Sequence, residues 1–273
     1  MSLPLRALSD AELDRYARQM ILPPFGAVGQ VRLANARVVV LGAGGIGCPV
    51  IQSLAAAGVG ALRIVDDDVV ELSNLPRQTL FAEADVDRPK ADAAAGAVRR
   101  LSRHVAVSSR TERITADSVA ELVDGADLVV DGTDNFATRL VVSDHLVRAR
   151  VPLLSAAVGQ FGGQVGAFRG WDDGPCYRCF VGDAHDADEC DTCAEVGVLG
   201  PFVGWVAGFA ALQATRLLSG FAPADWGALH LLDGLKPALR TIRIPKDPEC
   251  RACHRGAEEL PARERLPVRL DDG

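Results

Sequence analysis

Gly42-Ala43-Gly44-Gly45-Ile46-Gly47 has the spacing G-x-G-x-x-G and directly follows the apolar run Val38-Val39-Val40-Leu41. Glycines so placed let backbone N–H groups approach a phosphate where a strand turns into a helix. The next apolar run, Leu62-Arg63-Ile64-Val65, ends at Asp66. An acid at that remove takes ribose hydroxyls. Dinucleotide-dependent dehydrogenases share this much, and an NAD-dependent oxidoreductase is the competing reading. Asn74-Leu75-Pro76-Arg77-Gln78 and then Lys90 add amide and cationic groups just past the ribose acid. A redox site has little use for so many phosphate-directed groups. A site that splits a triphosphate needs them, and the chemistry indicated is that of ATP.

A second set of residues concerns metal. Six of the seven cysteines fall into three C-x-x-C pairs: Cys176/Cys179, Cys190/Cys193 and Cys250/Cys253. In an intracellular enzyme such pairs point to metal or catalysis before disulfides. Two knuckles far apart in sequence can build a closed four-thiolate zinc site. Cys176 and Cys179, beside Pro175 and Tyr177, pair best with Cys250 and Cys253 near the C-terminus. Cys190 and Cys193 are left over. They are two ordinary loop cysteines, or Cys193 is a reactive thiol ahead of the helix that starts near Pro201. Cys48 reads as a buried small residue.

These groups need a scaffold, and 273 residues with 48% hydrophobic and 24% charged content suit one large soluble α/β unit. Helix-period and strand-like segments alternate: helix 46–57, strand 61–65, helix 88–101, strand 105–109, helix 115–123, strand 127–131, helix 136–149 and strand 152–157. Such alternation predicts a Rossmann-like, mostly parallel sheet with helices on both faces. Ser9-Asp10-Ala11-Glu12 has capping-box spacing and predicts a helix through Tyr16 to Ile21, ended by Pro23-Pro24. After residue 158 the pattern changes to a modified second half. A strand is expected over 160–168, an irregular cysteine-bearing stretch over 171–196, a helix over 201–219, and strands near 228–232 and 239–244. Residues 1–255 read as one domain and 256–273 as a flexible tail.

The net charge of −7 argues against a nucleic-acid surface. No apolar run is long enough to span a membrane and the N-terminus does not read as a signal peptide, so the expected compartment is the cytoplasm. Only Lys90, Lys236 and Lys246 among the 29 basic residues are lysine. A lysine at position 90 is therefore informative, since its compact ammonium suits phosphate.

Several motifs occur in an order that resembles one family. They are Arg15-Tyr16-x-Arg18-Gln19, the glycine turn with Cys48, Asp66-x-Asp68, Ser73-Asn74-x-x-Arg77-Gln78, Lys90 and Thr133-Asp134-Asn135. Pro175-Cys176-Tyr177-Arg178-Cys179, Cys193-Ala194-Glu195-x-Gly197-Val198 and Cys250-x-x-Cys253 follow. The chain is similar to MoeB/ThiF-type adenylyltransferases, kin to ubiquitin-activating enzymes. The resemblance implies ATP-dependent adenylation of the C-terminal Gly-Gly carboxylate of a ubiquitin-like sulfur carrier protein, with release of pyrophosphate. It favours molybdopterin biosynthesis, with thiamine biosynthesis as the alternative.

By residue matching, Gly42, Gly44, Gly45, Gly47, Asp66 and Asp68 would hold the nucleotide. Asn74, Arg77 and Lys90 would surround its polyphosphate, and Asp134 would bind Mg²⁺. Arg18 would reach the site of a neighbouring subunit in a homodimer. Cys193 matches a loop cysteine that could serve a later step only, and Cys190 beside it leaves that role in doubt. Pro76 departs from the pattern and should stiffen its loop. No cysteine follows Cys253, so a separate sulfur donor is expected.

Overall fold

Val38, Val39, Val40 and Leu41 are all buried, as are Leu128, Val129 and Val130. A strand apolar on both sides belongs in the middle of a sheet covered on both faces. The computed structural model of the chain, which describes residues 5–182 and 197–254, puts them there.

The parallel half comprises β1 (Arg37–Leu41), β2 (Ala61–Val65), β3 (Ala106–Arg110), β4 (Leu128–Asp131) and β5 (Leu153–Gly159). The antiparallel half comprises β6 (Gly162–Phe168), β7 (Ala228–Asp233) and β8 (Ala238–Arg243). Together they make one eight-stranded sheet in the order β3-β2-β1-β4-β5-β6-β7-β8. Its pairings are parallel from β3 to β5 and antiparallel from β5 to β8.

Alternate side chains serve opposite faces. Val38 and Val40 join a large core under α3 (Gly47–Ala57), α4 (Lys90–Leu101) and α8 (Gly200–Ser219). Val39 and Leu41 join a second core under α5 (Val119–Leu122), α6 (Phe136–Ala149) and α7 (Tyr177–Val181). In α8, Ala207, Ala210, Ala211 and Ala214 are buried, and their small side chains let the helix lie close to α3 and β5.

The expected alternation and the strand at 160–168 are borne out, with three corrections. A helix not foreseen, α2 (Gly26–Asn35), follows α1 (Asp10–Met20), because Gly26 and Gly29 hide its pattern. The expected helix at 115–123 is a single turn. Thr115 and Ser118 accept from each other's backbone N–H through their hydroxyls (2.9 and 3.2 Å), a capping box that starts the turn, and Gly125 with φ of 72° follows its end. The stretch at 171–196 contains the short helix α7. Cys190, Cys193 and the tail 256–273 lie outside the described residues.

Candidate active site and cysteine cluster

In this strand order the chain leaves β1 toward β2 on one side, while β4 lies on the other. Ligands of open α/β sheets bind at that switch point, beyond the C-terminal ends of the strands. The glycine turn sits there. Gly42 has φ of 85°, and a Cβ on it would lie 3.2 Å from the Gly132 carbonyl carbon and 3.3 Å from Thr133 N. A Cβ on Gly47 would lie 1.8 Å from the Gly42 carbonyl oxygen, so only glycine closes this turn. The turn after β1 and the Thr133-Asp134 turn after β4 therefore touch backbone to backbone.

Three more segments meet the glycine turn. Gly45 faces Arg77 and Val203 of α8, with Arg77 Cδ 3.8 Å from where its Cβ would be. Gly44 faces Gln78, a buried residue whose Oε1 has no partner among the described residues. Gly200, at the start of α8, packs on the Pro76 carbonyl.

Asp66 is half-buried at the end of β2. Its carboxylate accepts from the N–H of Ala43 (2.6 Å) and of Asp68 (2.9 Å), which ties this carboxylate to the glycine turn. Burial pushes its pKa up, and the two backbone donors oppose that. Lys90 is buried at the start of α4 and donates from Nζ to the exposed Asp68 carboxylate at 2.8 Å. Arg77 donates to the Ser73 carbonyl at 3.0 Å. Asn74 is buried, and its Oδ1 accepts from the Glu71 N–H at 3.3 Å, so it also closes its own turn.

Asp134 is exposed beside the glycine turn. The cap of α6 is its neighbour Asn135, whose Oδ1 accepts from the Thr138 N–H at 2.8 Å. A capping duty for Asp134 is thereby excluded, and its carboxylate suits a hard cation held against phosphate.

Arg18 stands apart from these groups. α3 carries the chain from the glycine turn to the opposite end of the strands, about 16 Å for its eleven residues. α1 packs at that far end: Tyr16 lies over Gly58, Gln19 donates to the Ala57 carbonyl (3.2 Å), and Arg15 donates to the Leu101 carbonyl (2.9 Å). Arg18 is exposed on α1. It does not join the glycine turn of its own chain.

The sequence reading missed two residues of this region. Asp131, fully buried at the end of β4, accepts through Oδ1 from the N–H (2.9 Å) and Oγ1 (2.7 Å) of Thr133. It ends an apolar strand just as Asp66 does, and that signal was available. Arg139, buried on α6, donates to the Thr133 and Ala156 carbonyls and to Ser155 Oγ. Nothing in its sequence surroundings marked it.

The four expected cysteines come together. Sγ–Sγ distances are 3.8 Å for Cys176–Cys179, 3.6 Å for Cys176–Cys250 and 3.4 Å for Cys179–Cys253, and all four sulfurs lie within 4.8 Å. A tetrahedron with zinc–sulfur bonds of about 2.3 Å has edges of about 3.8 Å. The cluster thus fits a structural zinc. Hydrogen bonds from Cys176 and Cys253 hold the Cys179 thiol far below its ordinary pKa, which favours a thiolate. Val147 of α6 and Ala252 cover the cluster, and Arg178 anchors its first knuckle to Asp144 of α6 (3.1 and 2.7 Å).

Comparison with known proteins agrees with this architecture. The chain is 40% identical over 269 residues to the SAMP-activating enzyme E1 of Haloferax volcanii, covering 97% of this chain and 99% of that one. It is 37% identical over 246 residues to the molybdopterin-synthase adenylyltransferase of Escherichia coli, covering 90% and 98%. The adenylyltransferase and sulfurtransferase MOCS3 of Sus scrofa is 42% identical over 251 residues. The alignment takes in 92% of this chain but 55% of MOCS3, so the chain spans about half the length of that relative. Among solved structures, Escherichia coli MccB with ATP has the same fold, with a TM-score of 0.79 at 23% identity over 90% of this chain and 75% of MccB. Residues 16–252 match the ThiF family model, and the chain belongs to the ThiF family.

Proposed function

We propose that the chain is an ATP-dependent adenylyltransferase acting on a ubiquitin-like sulfur carrier protein that ends in Gly-Gly. The observation that carries this reading is the convergence of the glycine turn, Asp66, Arg77, Lys90 and Asp134 at one switch point. The carrier carboxylate attacks the α-phosphorus of ATP, the bond to the β-phosphate oxygen breaks, and pyrophosphate leaves with that electron pair. Both reactants are anions, so the protein must neutralise and align them rather than supply a nucleophile.

Arg77 and Lys90 supply fixed positive charge along the polyphosphate, and the glycine N–H groups cradle it. Lys90 leaves Asp68 for phosphate, or bridges the two. Asp66 takes the ribose hydroxyls. Asp134 would hold Mg²⁺, which neutralises phosphate charge when bound. Zn²⁺ in the four-thiolate cluster would be structural, because four thiolates leave no open position for substrate.

The partner subunit of a homodimer supplies Arg18. Two features support this: Arg18 sits at the end of the sheet away from its own glycine turn, and apolar side chains stay exposed around α2 and along α8. Those are Ile21, Leu22 and Val28 around α2 and Trp205 and Leu212 on α8, whose exposed positions carry no charge. Molybdopterin biosynthesis is the favoured pathway, following the name of the Escherichia coli relative, a molybdopterin-synthase adenylyltransferase. A separate donor delivers sulfur to the acyl-adenylate, and the setting is the cytoplasm, where reduced thiols and ATP coexist. No helix among the described residues is long and apolar enough to cross a membrane.

Carrier-dependent exchange of labelled pyrophosphate into ATP tests the reading. Exchange should require Mg²⁺ and vanish in Asp134→Ala. Robust exchange by folded Asp134→Ala would remove the metal role from that residue. No exchange with any Gly-Gly carrier would remove the activity.

A further inference from the structure

We infer that Arg139 is a positioning residue, which with Asp131 and Ser155 holds the Thr133-Asp134 turn in the one shape that presents Asp134 to the nucleotide. This rests on the proposed role of Asp134. The guanidinium is buried and interacts electrostatically with the carboxylates of Asp131 and Asp134. Besides Tyr177 of α7, which lies beside it, its partners are at the end of the sheet. Nε donates to the Thr133 carbonyl at 2.9 Å, and Nη2 adds a second contact to the same oxygen. Nη1 donates to Ser155 Oγ at 3.0 Å and Nη2 to the Ala156 carbonyl at 3.0 Å.

Asp131 grips the same residue from the other side, through the N–H and hydroxyl of Thr133. Thr133 is thus clamped at its N–H, its hydroxyl and its carbonyl, and the next residue is Asp134. The clamp spans β4, β5 and α6, three elements of the rigid core. Asp134 itself is exposed, and besides the charge of Arg139 no side-chain contact among the described residues fixes it. Its aim depends on the backbone behind it.

A planar fork fixed at three acceptors is what such a clamp needs, and a lysine can reproduce its charge but not its geometry. Residues that orient a metal ligand from behind typically change metal affinity by about 10- to 100-fold when lost. A merely structural Arg139 would instead loosen α6 and the cysteine knuckle together.

The test uses Arg139→Lys, which keeps a charge opposite Asp131, and Ser155→Ala, a small change that removes one acceptor and keeps the charge pair. Two quantities are read: amide hydrogen exchange of residues 133–138 against 142–149, and binding of Mn²⁺, seen by electron paramagnetic resonance, with a non-hydrolysable ATP analogue. In Arg139→Lys, exchange at 133–138 should accelerate while 142–149 stays as in the wild type, and the Mn²⁺ half-saturation should rise roughly tenfold. Ser155→Ala should move both the same way, by about threefold for Mn²⁺.

If Arg139→Lys fails to fold, Ser155→Ala decides alone. Wild-type Mn²⁺ binding and unchanged exchange at 133–138 in the folded variants would overturn the inference. So would loosening spread evenly over 133–149. If the wild type itself binds no Mn²⁺ with the nucleotide, the metal role of Asp134 fails, and the exchange contrast still judges the clamp.

Discussion

Around the glycine turn, the groups expected to meet phosphate are tied mostly to close neighbours, Arg77 to Ser73 and Asn74 to Glu71, while Asp134 is exposed. At the cysteine cluster, two segments 74 residues apart meet through sulfur, under the cover of α6. The first region can lose a side chain and keep its fold, because the sheet beneath it is complete without that group. The second holds the end of the described chain through those sulfurs, with Lys246 adding hydrogen bonds to the Gly170 and Asp172 carbonyls. Function should therefore be lost without stability at one region, and stability should fail first at the other.

The largest effect expected is on rate. Arg77→Ala should slow pyrophosphate exchange by about 10³-fold or more, in line with the loss of an arginine clamp on phosphoryl groups. Its Tm should stay near that of the wild type, because Arg77 is half-buried and among the described residues its side chain hydrogen-bonds within its own loop. A large fall in Tm would erase the contrast between the two regions.

Next comes metal. Zinc should be present at about one per chain and absent from the Cys250→Ser/Cys253→Ser double variant, measured by metal analysis. Structural zinc can contribute on the order of 10 kcal/mol to folding, so Cys176→Ser should lower Tm sharply while Cys190→Ser should not. Undiminished zinc in the double variant would refute the pairing.

The sheet and most of the site were legible because they obey local rules. A strand buried on both faces reads as Val38-Val39-Val40, and a glycine turn announces itself by spacing. Long-range chemistry was less legible. The two cysteine knuckles could be paired because each carries a spacing signal. Arg139 carries none, since its importance arises from β4 and β5 lying side by side. α2 was hidden because glycine is a poor helix former, and it forms here through packing on α8 and α1.

A smaller effect sharpens the subunit question. Arg18→Ala and Lys90→Ala homodimers should each be nearly inactive. Mixed by co-refolding, about half the dimers are hybrids with one intact site, so roughly a quarter of wild-type exchange should return. No recovery despite proven mixing would place Arg18 outside the partner's site.

The smallest effect concerns the attachment of α1. The Glu12 carboxylate is held down to about 2 by its hydrogen bond to Arg6, helped by Ser9. A depressed carboxylate stabilises the folded state above its ordinary value and loses that contribution as pH falls. Protection in residues 10–20, taken as exchange relative to the intrinsic rate at each pH, should therefore fall between about pH 4.5 and 2 in the wild type. In Glu12→Gln that pH dependence should disappear.

The central claim is that AMP is transferred to the carrier's carboxylate. It is tested most directly with ATP labelled in either the α- or the γ-phosphate, a Gly-Gly carrier, and hydroxylamine as trap. The α-label should appear on the carrier, leave as AMP on trapping, and yield a carrier hydroxamate, while the γ-label leaves in pyrophosphate. Label from the γ-phosphate on the carrier, with ADP as product, would contradict the account.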